Sequence, residues 1–143
     1  MNLSFKEKSL WISVLVMTVV WTCYFSEIWD GLWAMNLDRS EVWLLSAVVV
    51  GIIIVLQIVL HIIVATINPK ETDQQSDERD RQINRKVGNL AGWVLAIGVF
   101  HVWAIASLFD IPSIILANIL LLILALTQIV NDLLRLLFYS RGV

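Results

Sequence analysis

The chain has one cysteine, two prolines and six glycines in 143 residues, and only 15% of its residues are charged. Each shortage excludes something. Cys23 has no partner for an intramolecular disulfide or a one-chain thiolate zinc site, and it reads as a small apolar residue inside an apolar run. Soluble domains carry about a quarter charged residues, so a soluble domain has no room to hide here. A net charge of −2 gives no basic footprint for nucleic acid. There is no cysteine pair, no Gly-rich phosphate loop and no metal-binding His-Glu motif, so the sequence offers no catalytic set, no metal site and no cofactor.

What fills the chain instead is apolar: 59% of residues are hydrophobic and the mean hydropathy is +0.81. About 20 apolar residues cross the hydrocarbon of a bilayer. The sequence therefore predicts an all-α integral membrane protein of one domain, 1–143, with four transmembrane helices in an antiparallel bundle. The spans lie at about 9–29, 42–67, 87–108 and 113–138, with a polar island at 68–86. The first run continues through Trp21, Tyr24 and Phe25 without a small-residue cleavage site, which reads as a retained helix rather than a signal peptide.

Local signals mark the ends. Ser4-Phe5-Lys6-Glu7 matches a capping box at the start of helix one, and Asp30-Gly31 reads as its end. Asp38 or Ser40 caps helix two, and Asn68-Pro69 stops it. Helix three begins within the island, capped by Ser76 or Asp77, and runs unbroken to Leu108. Asp110-Ile111-Pro112-Ser113 makes a tight reversal into helix four, with proline tolerated in its first turn.

Orientation follows from lysine and arginine. The segment Lys70 to Lys86 holds five of the ten basic residues and five of the twelve acidic ones. Lys6, Lys8, Arg135 and Arg141 fall on the same side, against Arg39 alone on the other. By the positive-inside rule both termini and the island are cytosolic (N-in/C-in), and the third helix extends into the cytosol. Trp29, Trp33, Trp43 and Trp103 fall at the outer interface and Trp11 and Trp93 nearer the inner one, as aromatic belts do.

Polar residues inside the spans mark candidate sites. Ser46, Gln57, His61 and Asn68 share one sector of helix two, and Asn118, Gln128, Asp132 and Arg135 share one face of helix four with Asn131 at its edge. At a rise of about 1.5 Å per residue, His61 lies roughly 9 Å above the cytosolic end of helix two, level with Gln128, Asn131 and Asp132. This predicts an inner cluster of Gln57, His61, Gln128, Asn131, Asp132 and Arg135, in which Asp132 pairs with Arg135. It reads either as a proton or ion relay or polar pocket, or as interhelical hydrogen bonding near the membrane edge. His101 and Asn118 form a smaller outer pair, read as a packing device. The two histidines sit in opposite leaflets, roughly 10 Å apart in depth, which argues against both ligating one haem iron.

Small residues recur at four-residue spacing in Gly88, Gly92 and Ala96 on helix three and in Ala47 and Gly51 on helix two. They predict close helix contacts, within one bundle or across a homo-oligomer. The run Asp77-Glu78-Arg79-Asp80-Arg81-Gln82-Ile83 at the cytosolic start of the third span resembles a family of small uncharacterised prokaryotic four-span membrane proteins with an Asp-Glu-Arg-Asp motif at that place. The resemblance covers the layout of most of the chain, with about ten residues of specific sequence, and implies the prokaryotic cytoplasmic (inner) membrane. Such proteins often look like regulatory or immunity-type proteins.

Two functions are therefore expected. One is a non-enzymatic interaction protein, homo-oligomeric, whose Asp77, Glu78, Arg79, Asp80 and Arg81 dock a cytosolic protein partner or a neighbouring copy of the chain, or only form a solvated helix end. The other is a small homo-oligomeric transporter or channel working through His61 and Asp132. Known small exporters place a carboxylate deep in helix one, whereas here only Ser13, Thr18 and Thr22 lie at that depth.

Overall fold

The computed structural model describes residues 5–34, 38–67 and 78–140. They form four helices: α1 (Phe5–Ala34), α2 (Arg39–Ile67), α3 (Glu78–Leu108) and α4 (Ser113–Ser140). Each is long and apolar enough to cross a membrane.

The caps follow from the chemistry of the turns. At the head of α2 the Asp38 carboxylate accepts the amides of Ser40 at 2.7 Å and Glu41 at 3.4 Å, and also the Ser40 hydroxyl. Its own carbonyl accepts the Val42 amide at 3.1 Å, so Asp38, not Ser40, is the cap. Those bonds, the Ser40 hydroxyl foremost, hold the exposed Asp38 carboxyl below the ordinary aspartate range. At α4, Pro112 stands just before the helix, not in its first turn. Its carbonyl accepts the amides of Ile115 at 2.9 Å and Leu116 at 3.3 Å. The expected caps at Ser4, Ser76 and Asp77 and the stop at Asn68-Pro69 lie outside the described residues.

One expected end is corrected: α1 runs through Asp30 and Gly31 to Ala34. Glycine inside a helix costs only about 1 kcal/mol, less than leaving backbone groups unpaired near hydrocarbon, so it permits a stop without imposing one. The continuity expected of the third helix is present. Its 31 residues span about 46 Å, against a hydrocarbon thickness of about 30 Å. Set along the membrane normal, the helix would exceed that thickness by about 16 Å.

The main contacts run α2 to α1, α1 to α4, and α4 to α3. The helices thus pack in the spatial order α2–α1–α4–α3, with α1 and α4 central and α3 held chiefly by α4. Met17, Trp21, Tyr24 and Ile28 share one face of α1 and meet Val49 and Ile53 of α2 and Ala125 of α4 in the core. The Trp21 and Tyr24 rings meet edge to face, 5.7 Å apart.

On α3, Ile83, Val87, Ala91 and Val102 are buried, and the main contacts of this helix are with α4. The α3–α4 seam is tight at Gly98, where an added Cβ would lie 2.6 Å from Ile123 Cγ2. The small residues expected to bring helices together inside the bundle do not do so. Gly88, Gly92, Ala96, Ala47 and Gly51 are exposed, and a Cβ added at any of the three glycines meets nothing within 4 Å. Trp43, Trp93 and Trp103 also face outward, whereas Trp21 is committed to the core.

Candidate functional site

Two hydrogen-bonded relays cross the molecule, each running from α2 through α1 to α4. In the first, Gln57 Nε2 donates to Ser13 Oγ at 3.1 Å, and Ser13 Oγ donates to Asp132 Oδ2 at 2.6 Å. In the second, Tyr24 lies 2.7 Å from Ser46 Oγ and donates to Asn118 Oδ1 at 2.6 Å. A phenol has one proton, so with Tyr24 donating to Asn118 the Ser46 hydroxyl is the donor toward Tyr24, sharing its proton with the Val42 carbonyl at 2.7 Å. In both relays α1 supplies the middle hydroxyl.

Asp132 is the end point of the first relay, on α4. It is only 3% exposed, and its carboxylate also accepts Gln128 Nε2 at 3.3 and 3.4 Å and Asn131 Nδ2 at 3.4 Å. A carboxylate within a span is costly unless paired, and here neutral donors from two helices supply the pairing. The expected ion pair with Arg135 does not form. Arg135 borders the same cleft, but its Nε is buried with no hydrogen-bond partner. A guanidinium three residues along the helix reaches the carboxylate only if its stem turns that way, and the donors already around Asp132 occupy the near side.

Gln57, Gln128, Asn131 and Asp132 are thus brought together, with Ser13 as the bridge. His61 stands at the edge: it is exposed, borders the cleft, and its Nδ1–H donates to the Gln57 carbonyl at 2.7 Å. Because a carbonyl only accepts, Nδ1 carries a proton, and in the neutral ring Nε2 is then the acceptor nitrogen. The cleft, of about 660 Å³, is also lined by Ser9, Met17 and Trp21. The Trp21 indole N–H is buried without a partner.

The other sequence-derived sites fare differently. Asn118 is buried, but its partner is Tyr24, and its Nδ2 returns to the Ile114 carbonyl at 2.8 Å. His101 is exposed and donates to the Ile97 carbonyl of its own helix at 2.7 Å, so the expected His101–Asn118 pair is not made. In the charged run, Asp77 lies outside the described residues. Asp80 is 7% exposed and accepts the Tyr139 hydroxyl at 3.0 Å, while Arg79 donates to the Tyr139 carbonyl at 3.4 Å. These two therefore hold α3 to the end of α4. Glu78 and Arg81 are exposed.

A second cleft, of about 780 Å³, lies between α2 and α4 at the end where Arg39 donates to Ser113 Oγ at 3.0 Å. Leu124 borders both clefts, so they adjoin along the α2–α4 groove. No family model, no curated protein and no solved structure matches this chain.

Proposed function

We propose that the chain is a small homo-oligomeric transporter or channel of the prokaryotic cytoplasmic membrane. In this reading it is an antiparallel four-helix protein with both termini cytosolic, and Asp132 is its coupling site. The observation that carries this is the buried Asp132 carboxylate, tied through Ser13 to Gln57 and bordering a polar cleft. The carboxylate is acceptor-only when ionised. A proton taken up on Oδ2, the oxygen that Ser13 faces, would make it a donor there, and the Ser13 hydroxyl would then turn its own proton elsewhere. That rearrangement reaches α1 and, through Gln57, α2, so the charge on Asp132 is felt at two helix seams. Trp21 and Arg135 border the same cleft, and each keeps a buried nitrogen without a hydrogen-bond partner. The outward-facing Gly88, Gly92 and Ala96 support a homo-oligomeric seam on α3.

The test is flux in proteoliposomes. Asp132→Asn keeps the shape but removes the charge and should abolish proton-coupled flux, and His61→Ala should slow it. Equal flux in the parent and both variants would refute the reading.

A second reading has its own support. Glu78, Arg81, Arg85 and Lys86 are exposed on the projecting end of α3, a charged face suited to a cytosolic protein partner in a regulatory or immunity-type role. Arg79 and Asp80 are engaged with α4 and would serve that face only by placing it.

A further inference from the structure

The cleft between α2 and α4 at the Arg39 end is separate from the relay through Asp132 and has a different character. Its volume, about 780 Å³, falls within the range of about 300–1,000 Å³ typical of small-molecule sites. The lining is graded. Arg39 and Ser113 stand at one end, and Val50, Leu120 and Leu124 carry the cleft onward between the helices. Ala47 and Ala117 border it with side chains too small to fill it. Ser46 and Asn118 also line it, but their polar atoms are engaged with Tyr24 in the second relay and with carbonyls of their own helices. What the cleft presents is therefore one cation followed by apolar wall.

The Arg39 end has the chemistry of a lipid-water boundary. Arg39 is the first residue of α2, exposed, and its bond to Ser113 uses one of five guanidinium donors, leaving others for an anionic oxygen. Trp43, one turn further in and 74% exposed, borders the same cleft, at the level where aromatic side chains meet headgroups. The first turn of α4, with its partial positive charge, lies beside it. An apolar helix gains little from filling this space, because lipid tails solvate it equally well. A charged headgroup does gain.

We infer that this cleft holds one membrane phospholipid of net negative charge, with its phosphate on Arg39 and an acyl chain between α2 and α4. The site is independent of the transport reading.

Native mass spectrometry of the detergent-purified full chain tests it, with phosphatidylglycerol and phosphatidylcholine of identical acyl chains added in equal amounts. The parent should retain one phosphatidylglycerol in preference. Arg39→Gln should lower that preference about fivefold, the effect of one cation beside an anionic headgroup, and Arg39→Lys should keep most of it. Ala117→Trp fills the cleft and should remove both adducts. Equal binding of the two lipids by the parent, an unchanged preference in Arg39→Gln, or full binding by a folded Ala117→Trp would each overturn the site and leave adventitious boundary lipid only. A dimer that Ala117→Trp dissociates without loss of lipid would assign the cleft to a second copy instead. Arg39 is exposed, so Arg39→Gln remains decisive if Ala117→Trp does not fold. Flux is read separately: a parent that carries nothing yet binds one phosphatidylglycerol refutes the transport reading alone.

Discussion

Ser13 is the residue on which the interior depends most. It is 7% exposed, accepts from Gln57 and donates to Asp132. Ser13→Ala removes both bonds and leaves an amide and a carboxylate each short of a partner, at a cost of about 1–3 kcal/mol per buried group. Its thermal unfolding midpoint in detergent should fall by several degrees, while Thr18→Ala, at an exposed position on the same helix, should leave it unchanged. The contrast shows what the sequence could and could not reveal. Asp132, Gln128 and Gln57 were legible because polar side chains amid leucine and isoleucine have few places to go. Ser13 and Tyr24 were not. Serine and threonine hydroxyls can bond their own helix, so Ser13, Thr18 and Thr22 look alike until packing shows which meets a partner. Ser13 and Tyr24 lie eleven residues apart, about three helical turns, and that shared face was the available signal.

At the scale of the helices, two features invite measurement. The Asp38 cap ties the start of α2 to pH. Its carboxyl titrates lower in the folded protein than in the unfolded chain, so its contribution is complete at neutral pH and is lost as pH falls through the folded value. The Ser40 and Glu41 amide resonances should titrate together, with a midpoint below the ordinary aspartate range, and Asp38→Asn should abolish that titration. On the α3–α4 seam, Gly98→Ala would force its methyl against Ile123. Overpacking of this kind costs about 1–3 kcal/mol, and hydrogen exchange along α3 should rise accordingly. Ile123→Ala in the same chain should restore protection. Glycine spacing pointed instead to Gly88 and Gly92, because a four-residue repeat marks a face of a helix without saying which neighbour, if any, that face meets. Helix existence was legible throughout; the end of α1 was not, since Asp30-Gly31 allows a stop that the surrounding backbone has no reason to take.

For the molecule as a whole, the distribution of basic residues predicts which way the row of helices is inserted. A fluorescent protein fused to either terminus should glow and an alkaline phosphatase at either should be inactive, with the reverse for a phosphatase inserted at Asp38. Active phosphatase at both termini would invert the topology, and opposite results at the two ends would mean an odd number of crossings. The order α2–α1–α4–α3 was beyond the sequence because apolar faces of similar composition do not name their neighbours. What selects it is polar: the relays centred on α1 require α2 and α4 to flank it, and Asp80 with Tyr139 fixes α3 on the far side.

That position leaves α3 joined to the rest of the molecule chiefly along α4. The join runs from Asp80 on Tyr139, past the buried Ile83, Val87 and Ala91, to Gly98 against Ile123, about 27 Å of helix. Parting the two helices at the charged end would therefore break the Tyr139–Asp80 bond and uncover Ile83 and Val87 in the same movement.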